Sequence, residues 1–224
     1  MTTTTHTAVP THSPTLVPTA VAPAPAEGAA RDVRPLRVTV VIGSNRAGRF
    51  GPVVAGWLLS RLRERDGITL DVIDVADTAL PTALNASPDP DVVAELGRVT
   101  PKLAGADAFI VLTPEYNHSY PAELKNLIDW HVTEWQAKPV ALVSYGGISG
   151  GLRAAEHLRQ VFAELHAVTV RDTVSFPYVN NHFDEDGRLR DPERADRATQ
   201  RMLDQLVWWA RALRTARERQ PYTG

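Results

Sequence analysis

The sequence predicts an α/β domain, a five-stranded parallel sheet covered by helices on both faces. Three observations predict it. Between residues 36 and 176, five short runs of aliphatic and β-branched residues recur, nearly unbroken in apolar character, as strands buried on both faces require. Segments of helical length separate these runs, several of them opened by proline. Alternation of strand and helix makes crossover connections, which join parallel strands packed between two helical layers.

Leu36–Ile42 (LRVTVVI) is the first strand. A helix over residues 52–65 follows, with Gly51 at its cap and Pro52 at the first helical position, where no N–H is needed. Ile68–Asp74 (ITLDVID) is the second strand. The next helix, residues 91–105, contains Gly97 and Pro101, which predict a kink or two pieces. Residues 108–113 (AFIVLT) form the third strand, and residues 121–135 a helix with Pro121 in its first turn. The fourth strand is residues 139–145 (PVALVSY), followed by a helix over 152–165 and a fifth strand over 168–176. Asp191 caps the last helix, which Pro192 and Glu193 open. Its apolar stripe runs through Ala195, Ala198, Met202, Leu206, Ala210 and Leu213. Trp208 and Trp209 read as packing residues, and Arg211, Arg214 and Arg217, three apart, as a solvated face.

Residues 1–34 differ in kind. They are rich in Thr, Pro and Ala, lack aromatic residues and show no period, so they read as a disordered tail to a domain over 35–224. No Lys or Arg precedes Arg31 and prolines interrupt the apolar stretch, so the segment does not read as a signal peptide. No apolar run approaches the roughly 18 residues that span a bilayer. A net charge of −2 gives no general attraction to nucleic acid. The absence of cysteine excludes disulfides, thiolate nucleophiles and Cys-ligated metals, and fits a cytoplasmic protein. His131, His157 and His166 show no metal-ligand spacing and read as surface or packed histidines.

In open parallel sheets, ligands bind at the carboxyl ends of strands where the strand order reverses. The order is Rossmann-like or 2-1-3-4-5, and in either case the loops after strands 1, 3 and 4 carry the chemistry. The first is residues 43–51, GSNRAGRFG. Its three glycines let the backbone bend, the helix start attracts an anion, and Ser44, Arg46 and Arg49 add side-chain donors. Gly43 and Gly48 have P-loop spacing, but Arg49 and Phe50 follow where Lys and Ser or Thr are needed, which argues against a phosphotransferase. Asn45 breaks the dinucleotide pattern Gly-x-Gly-x-x-Gly, leaving a monophosphate pocket. The second loop, residues 113–121 (TPEYNHSYP), offers Tyr116, Tyr120 and Asn117, flat surface and an amide for a planar heteroaromatic ring. His118 stands in that loop too. The third, residues 144–151 (SYGGISGG), has four glycines that allow backbone to approach such a ring.

Taken together, GSNRAGRFGP, TPEYNHSYPAELKNLIDW and SYGGISGGLRA closely resemble the NADPH-dependent FMN reductase family, in the right order over roughly residues 36–219. The most specific part is PEYN with the helix that follows. The resemblance implies a flavodoxin-like three-layer sandwich with strand order 2-1-3-4-5. It implies FMN, with NADPH or NADH as co-substrate. It assigns Ser44, Arg46, Arg49, Phe50, Gly51, Pro52 and Val53 to the ribityl phosphate. Pro114, Glu115, Tyr116 and Asn117 would lie along the isoalloxazine ring, with Ser144, Tyr145, Gly146 and Gly147 near its pyrimidine side. No side chain is assigned as an obligatory acid or base. The resemblance further implies a homodimer or homotetramer, with residues 124–130 near the subunit interface. The expected acceptor is a flavin, quinone or similar molecule, and a flavin-dependent monooxygenase is a candidate partner. Two features depart from the family pattern: the tail, and Arg49, where many members have Ser. The alternative is a flavodoxin-like carrier or binding protein without nicotinamide turnover. A near balance of 26 acidic and 24 basic residues, with two arginines in the first loop, favours the reductase.

Overall fold

The structure is a computed structural model that describes residues 34–224. The expected tail lies outside the described residues except for Arg34. Along the chain come β1 (Leu36–Ile42), α1 (Gly51–Arg63), β2 (Ile68–Asp74), α2 (Pro90–Ala104), β3 (Ala108–Pro114) and α3 (Ala122–Asp129). Then follow β4 (Pro139–Gly146), α4 (Leu152–Glu164), β5 (Val168–Thr169), β6 (Val174–Pro177) and α5 (Pro192–Arg219). The sheet is parallel throughout, in the order β2-β1-β3-β4-β5, with β6 also paired to β4. This is the flavodoxin-like order, whose reversal lies between β1 and β3.

Because strand side chains alternate, each strand feeds two cores. Val38, Val40, Ile110 and Leu112 meet Trp57 and Leu58 of α1 and Met202, Leu206 and Ala210 of α5. Val41, Phe109, Val111 and Leu142 meet Leu103 of α2, Leu127 of α3 and Phe162 of α4. Every residue of β3 is buried, which explains its unbroken apolar run. Among the described residues no helix is long and apolar enough to cross a membrane.

Several elements differ from the sequence prediction. The fifth strand is two short ones. Between them the Arg159 guanidinium takes the carbonyls of Val170 (2.8 Å) and Arg171 (3.0 Å), and Gln205 takes the Asp172 N–H (3.1 Å). Side chains thus satisfy backbone groups that a continuous ladder would have paired. Helix α2 is one uninterrupted element, with Pro101 in its last turn. Helix α3 stops at Asp129 rather than continuing to Trp135. The chain turns there so that Trp135 is wholly buried against Phe109 and Phe162, and the His131 ring pairs with the Leu127 carbonyl at 2.9 Å. Phe50, not Gly51, occupies the cap of α1; Pro121 is the cap of α3; Asp191 sits at the cap of α5 without a side-chain hydrogen bond.

The last helix holds two further corrections. Arg214 is 2% exposed, and with Arg217 it reaches Asp107 (3.2 and 3.6 Å), so this arginine row is not a solvated face. Asp107 also accepts the Arg37 N–H at 3.0 Å, which ties α5 to the start of the sheet. Trp208 and Trp209 do not pack into the core. They are 64% and 36% exposed, edge to face with each other.

Candidate active site

All three predicted loops converge at the carboxyl ends of β1, β3 and β4. The first is anchored from below. A Cβ on Gly43 would lie 2.9 Å from Leu124 Cδ2 and 3.0 Å from the Leu112 carbonyl, so only glycine lets β1 end so close to α3. Ser44 is fully buried, its Oγ 2.5 Å from the Tyr116 hydroxyl. Arg49 is held by Asp74, its Nη1 and Nη2 2.5 and 2.7 Å from the carboxylate at the end of β2. Its Nη1 also donates to the Ser44 carbonyl at 2.5 Å. The hydrogen-bonded Asp74 carboxylate raises the Arg49 pKa above the ordinary arginine value, keeping the guanidinium charged. The Arg46 side chain is exposed, with no hydrogen bond or ion pair to another described residue, while its carbonyl accepts the Arg49 N–H at 3.1 Å.

Tyr116 and Ser119 exchange both backbone hydrogen bonds (2.8 and 3.0 Å) around Asn117 and His118, which have φ of 48° and 74°. Two consecutive left-handed residues make this a tight primed turn, a conformation that Asn tolerates well. The turn aims Tyr116 inward and leaves Asn117 at an exposed tip. His157 of α4 braces it through the Ser119 hydroxyl at 3.0 Å.

Glu115 joins the second loop to the third. Its side chain is 8% exposed and receives Ser149 Oγ (2.5 Å), Arg153 Nε (2.8 Å) and the Arg153 N–H (3.3 Å). Its own N–H donates to the Tyr145 carbonyl at 3.1 Å. Beneath, the Ser144 hydroxyl donates to the Gly150 carbonyl at 2.8 Å. Gly151, at φ +85°, has room for no Cβ, since one would fall 2.7 Å from Ser144 Cβ. These contacts set the glycine loop against the sheet edge. The Gly147 N–H faces no hydrogen-bond partner among the described residues. Burial, with the neighbouring Tyr116 phenol, pushes the Tyr145 hydroxyl well above the ordinary phenol range, so it stays protonated.

A fourth segment completes the site, and the sequence reading missed it. Tyr178, Val179, Asn180 and Asn181 follow β6 and close a cavity of about 530 Å³ lined by residues 46–50, 114–116, 145–147 and 178–181. Its one sequence signal was a cluster of turn formers, Pro177, Asn180 and Asn181, inside the connection to the last helix. Of the predicted residues, Arg46, Arg49, Phe50, Pro114, Glu115, Tyr116, Tyr145, Gly146 and Gly147 line the cavity. Ser44 and Ser144 lie buried beneath it, Gly51, Pro52 and Val53 form the first turn of α1, and Asn117 is outside the lining.

A sequence profile of the NADPH-dependent FMN reductase family matches residues 36–181, from β1 through the fourth segment of the cavity. The chain belongs to that family. The reductase is 33% identical to an NADPH:quinone oxidoreductase of Arabidopsis thaliana over 180 residues, covering 76% of this chain and 91% of that one. It is 31% identical over 194 residues to an NAD(P)H-dependent FMN reductase of Pseudomonas aeruginosa, covering 80% and 97%. The flavoenzyme NAD(P)H:(acceptor) oxidoreductase FerB of Paracoccus denitrificans shares the fold, with a TM-score of 0.63 at 23% identity over 79% of this chain and 98% of that one. Family membership makes the protein an oxidoreductase with FMN as cofactor and NAD(P)H as electron donor.

The residues present fit that cofactor. The backbone N–H groups of Ala47, Gly48 and Phe50 line the cavity without a partner among the described residues, at the positive end of α1 and beside Arg46. Such a set of unused donors suits a phosphate. Gly146 and Gly147 present bare backbone on the opposite side, where a flat ring can approach closely.

Proposed function

We propose that the enzyme passes electrons from NAD(P)H to a flavin, quinone or similar small acceptor by a ping-pong cycle, the donor leaving before the acceptor enters. The observation that carries this reading is a cavity of about 530 Å³ lined by both a phosphate-suited loop and a bare glycine edge. Bound there, FMN supplies the two-electron chemistry between nicotinamide and acceptor.

The chain's own residues then hold, orient and stabilise. The first loop, from Ser44 and Arg46 through Arg49 and Phe50 to the Gly51, Pro52 and Val53 turn, binds the phosphate. Ser44 contributes through the Tyr116 hydroxyl it positions, and Arg49 by fixing the loop to Asp74. Pro114, Glu115, Tyr116 and Asn117 position the ring, Glu115 through Ser149 and Arg153. Ser144 and Tyr145 support Gly146 and Gly147, whose N–H groups stabilise negative charge that builds during reduction. No side chain needs to act as general acid or base. A cytoplasmic homodimer or homotetramer fits the same reading, as does delivery of reduced flavin to a monooxygenase.

The test is direct. The purified protein is titrated with FMN, then mixed anaerobically with NADPH or NADH. Micromolar FMN binding followed by bleaching of the flavin band is the expected result. Absence of binding refutes the site; binding without bleaching leaves an FMN carrier and refutes the reductase.

A further inference from the structure

Tyr178 is the one cavity-lining residue that combines a large exposed ring with a constrained backbone. It is 55% exposed, although it sits in the wall of the cavity. Its φ and ψ are 48° and 57°, the left-handed region that a bulky aromatic residue seldom adopts. Two hydrogen bonds hold it there: its N–H donates to the Gly147 carbonyl at 2.9 Å, and its carbonyl accepts from the Asn181 N–H at 2.8 Å. The first bond ties the ring's position to the glycine loop on the ring-binding side of the site. Behind it, the His182 ring donates its Nε2–H to the Pro177 carbonyl (2.9 Å), and Phe183 packs edge-on against Phe50 (5.5 Å). The backbone is therefore well determined, while the phenol itself has no hydrogen-bond partner among the described residues. A flat apolar surface held open in a cavity mouth is suited to one thing, stacking against another flat ring.

We propose that Tyr178 is a specificity-determining residue for the electron acceptor, its ring forming the wall against which a planar aromatic acceptor, of the quinone or flavin class, stacks. The proposal rests on the functional reading above and goes beyond it by naming the residue and the shape it selects. A small inorganic acceptor has no face to stack and gains nothing from Tyr178.

The experiment uses the FMN-loaded full chain with Tyr178→Ala and Tyr178→Phe. Without any electron donor, 2-methyl-1,4-naphthoquinone is titrated and its Kd measured by calorimetry. Steady-state KM is then compared for that quinone and for ferricyanide, and FMN affinity is checked by fluorescence quenching. Expected are a Kd and KM for the quinone raised about tenfold in Tyr178→Ala, near wild-type values in Tyr178→Phe, and a ferricyanide KM that rises much less than the quinone's. Quinone affinity equal to wild type in Tyr178→Ala overturns the proposal. So does an equal loss with both acceptors, or a loss of FMN affinity in both variants, since either means a merely structural role. A wild-type chain that does not bind FMN overturns the functional reading instead, and the proposal with it.

Discussion

Replacing Glu115 with alanine should destabilise the fold and loosen two walls of the site together. Its carboxylate receives two hydrogen bonds, from Ser149 Oγ and the Arg153 N–H, and an ion pair with Arg153 Nε, while only 8% exposed. Hydrogen bonds to a charged group contribute about 1.5–3 kcal/mol each, less where the partner is solvated. The Arg153 side chain is 42% exposed, so its share is screened toward the value of a surface pair, about 0–1 kcal/mol. The Ser149 bond and the weak 3.3 Å backbone bond add about 2 kcal/mol between them. The total is about 2–3 kcal/mol for Glu115→Ala. Glu115→Gln keeps the shape and one acceptor, and should lose about half of that. At roughly 2–4 °C per kcal/mol for a domain of this size, Glu115→Ala should melt about 4–12 °C lower. Thermal and urea unfolding measure this, and FMN titration of the same variant should show weaker binding, because Ser149 lies in the glycine loop and Arg153 just beyond it. A melting point within 1 °C of wild type, roughly 0.3 kcal/mol, refutes the claim that Glu115 clamps the two loops.

Arg46→Ala removes the loop's unpaired cation. It should weaken FMN binding by about tenfold while shifting stability by less than about 0.5 kcal/mol, read by flavin fluorescence and by melting. Gly151→Ala forces a Cβ to 2.7 Å from Ser144 Cβ at φ +85° and should cost more than about 2 kcal/mol, whereas Gly48→Ala, at φ +67° in open space, should cost only about 1 kcal/mol; comparable unfolding midpoints for the two would contradict the close approach. Burial pushes the Lys138 amine, bonded to the Leu103 and Ala104 carbonyls at the end of α2, down to about 8. The folded state therefore binds fewer protons than the unfolded one between pH 8 and 10.5, and this group's contribution to stability rises with pH across that window, by at most about 3 kcal/mol. Denaturation at pH 7.5 and 9.5 should show that rise, and Lys138→Met should flatten it.

The parts of the fold legible in the sequence are those set by neighbours along the chain. β3 could be read because all seven of its residues are buried and its run is unbroken. The three ligand loops could be read because their glycines, prolines and tyrosines announce bends and flat surfaces locally. The helical end at Asp129 could not, because the pattern of residues 121–135 remains apolar while Trp135 is needed by Phe109 and Phe162 from other elements. Nor could the break between β5 and β6, since the groups that satisfy it, Arg159 and Gln205, come from α4 and α5.

By itself, then, the sequence determined the alternation of strand and helix, the parallel sheet and the chemistry of three loops, all consequences of local period and turn propensity. Tertiary structure decided which charged groups are tools and which are fasteners. Arg46 and Arg49 look equivalent in the loop, yet Asp74 arrives from a strand end 25 residues away and takes Arg49. Arg211, Arg214 and Arg217 share one spacing, yet Asp107 buries Arg214 from 107 residues away. Tyr178 enters the site only because β6 ends beside Gly146. An ion pair or a cavity wall depends on atoms brought together across the sheet, and periodicity along one element carries no record of what stands opposite it.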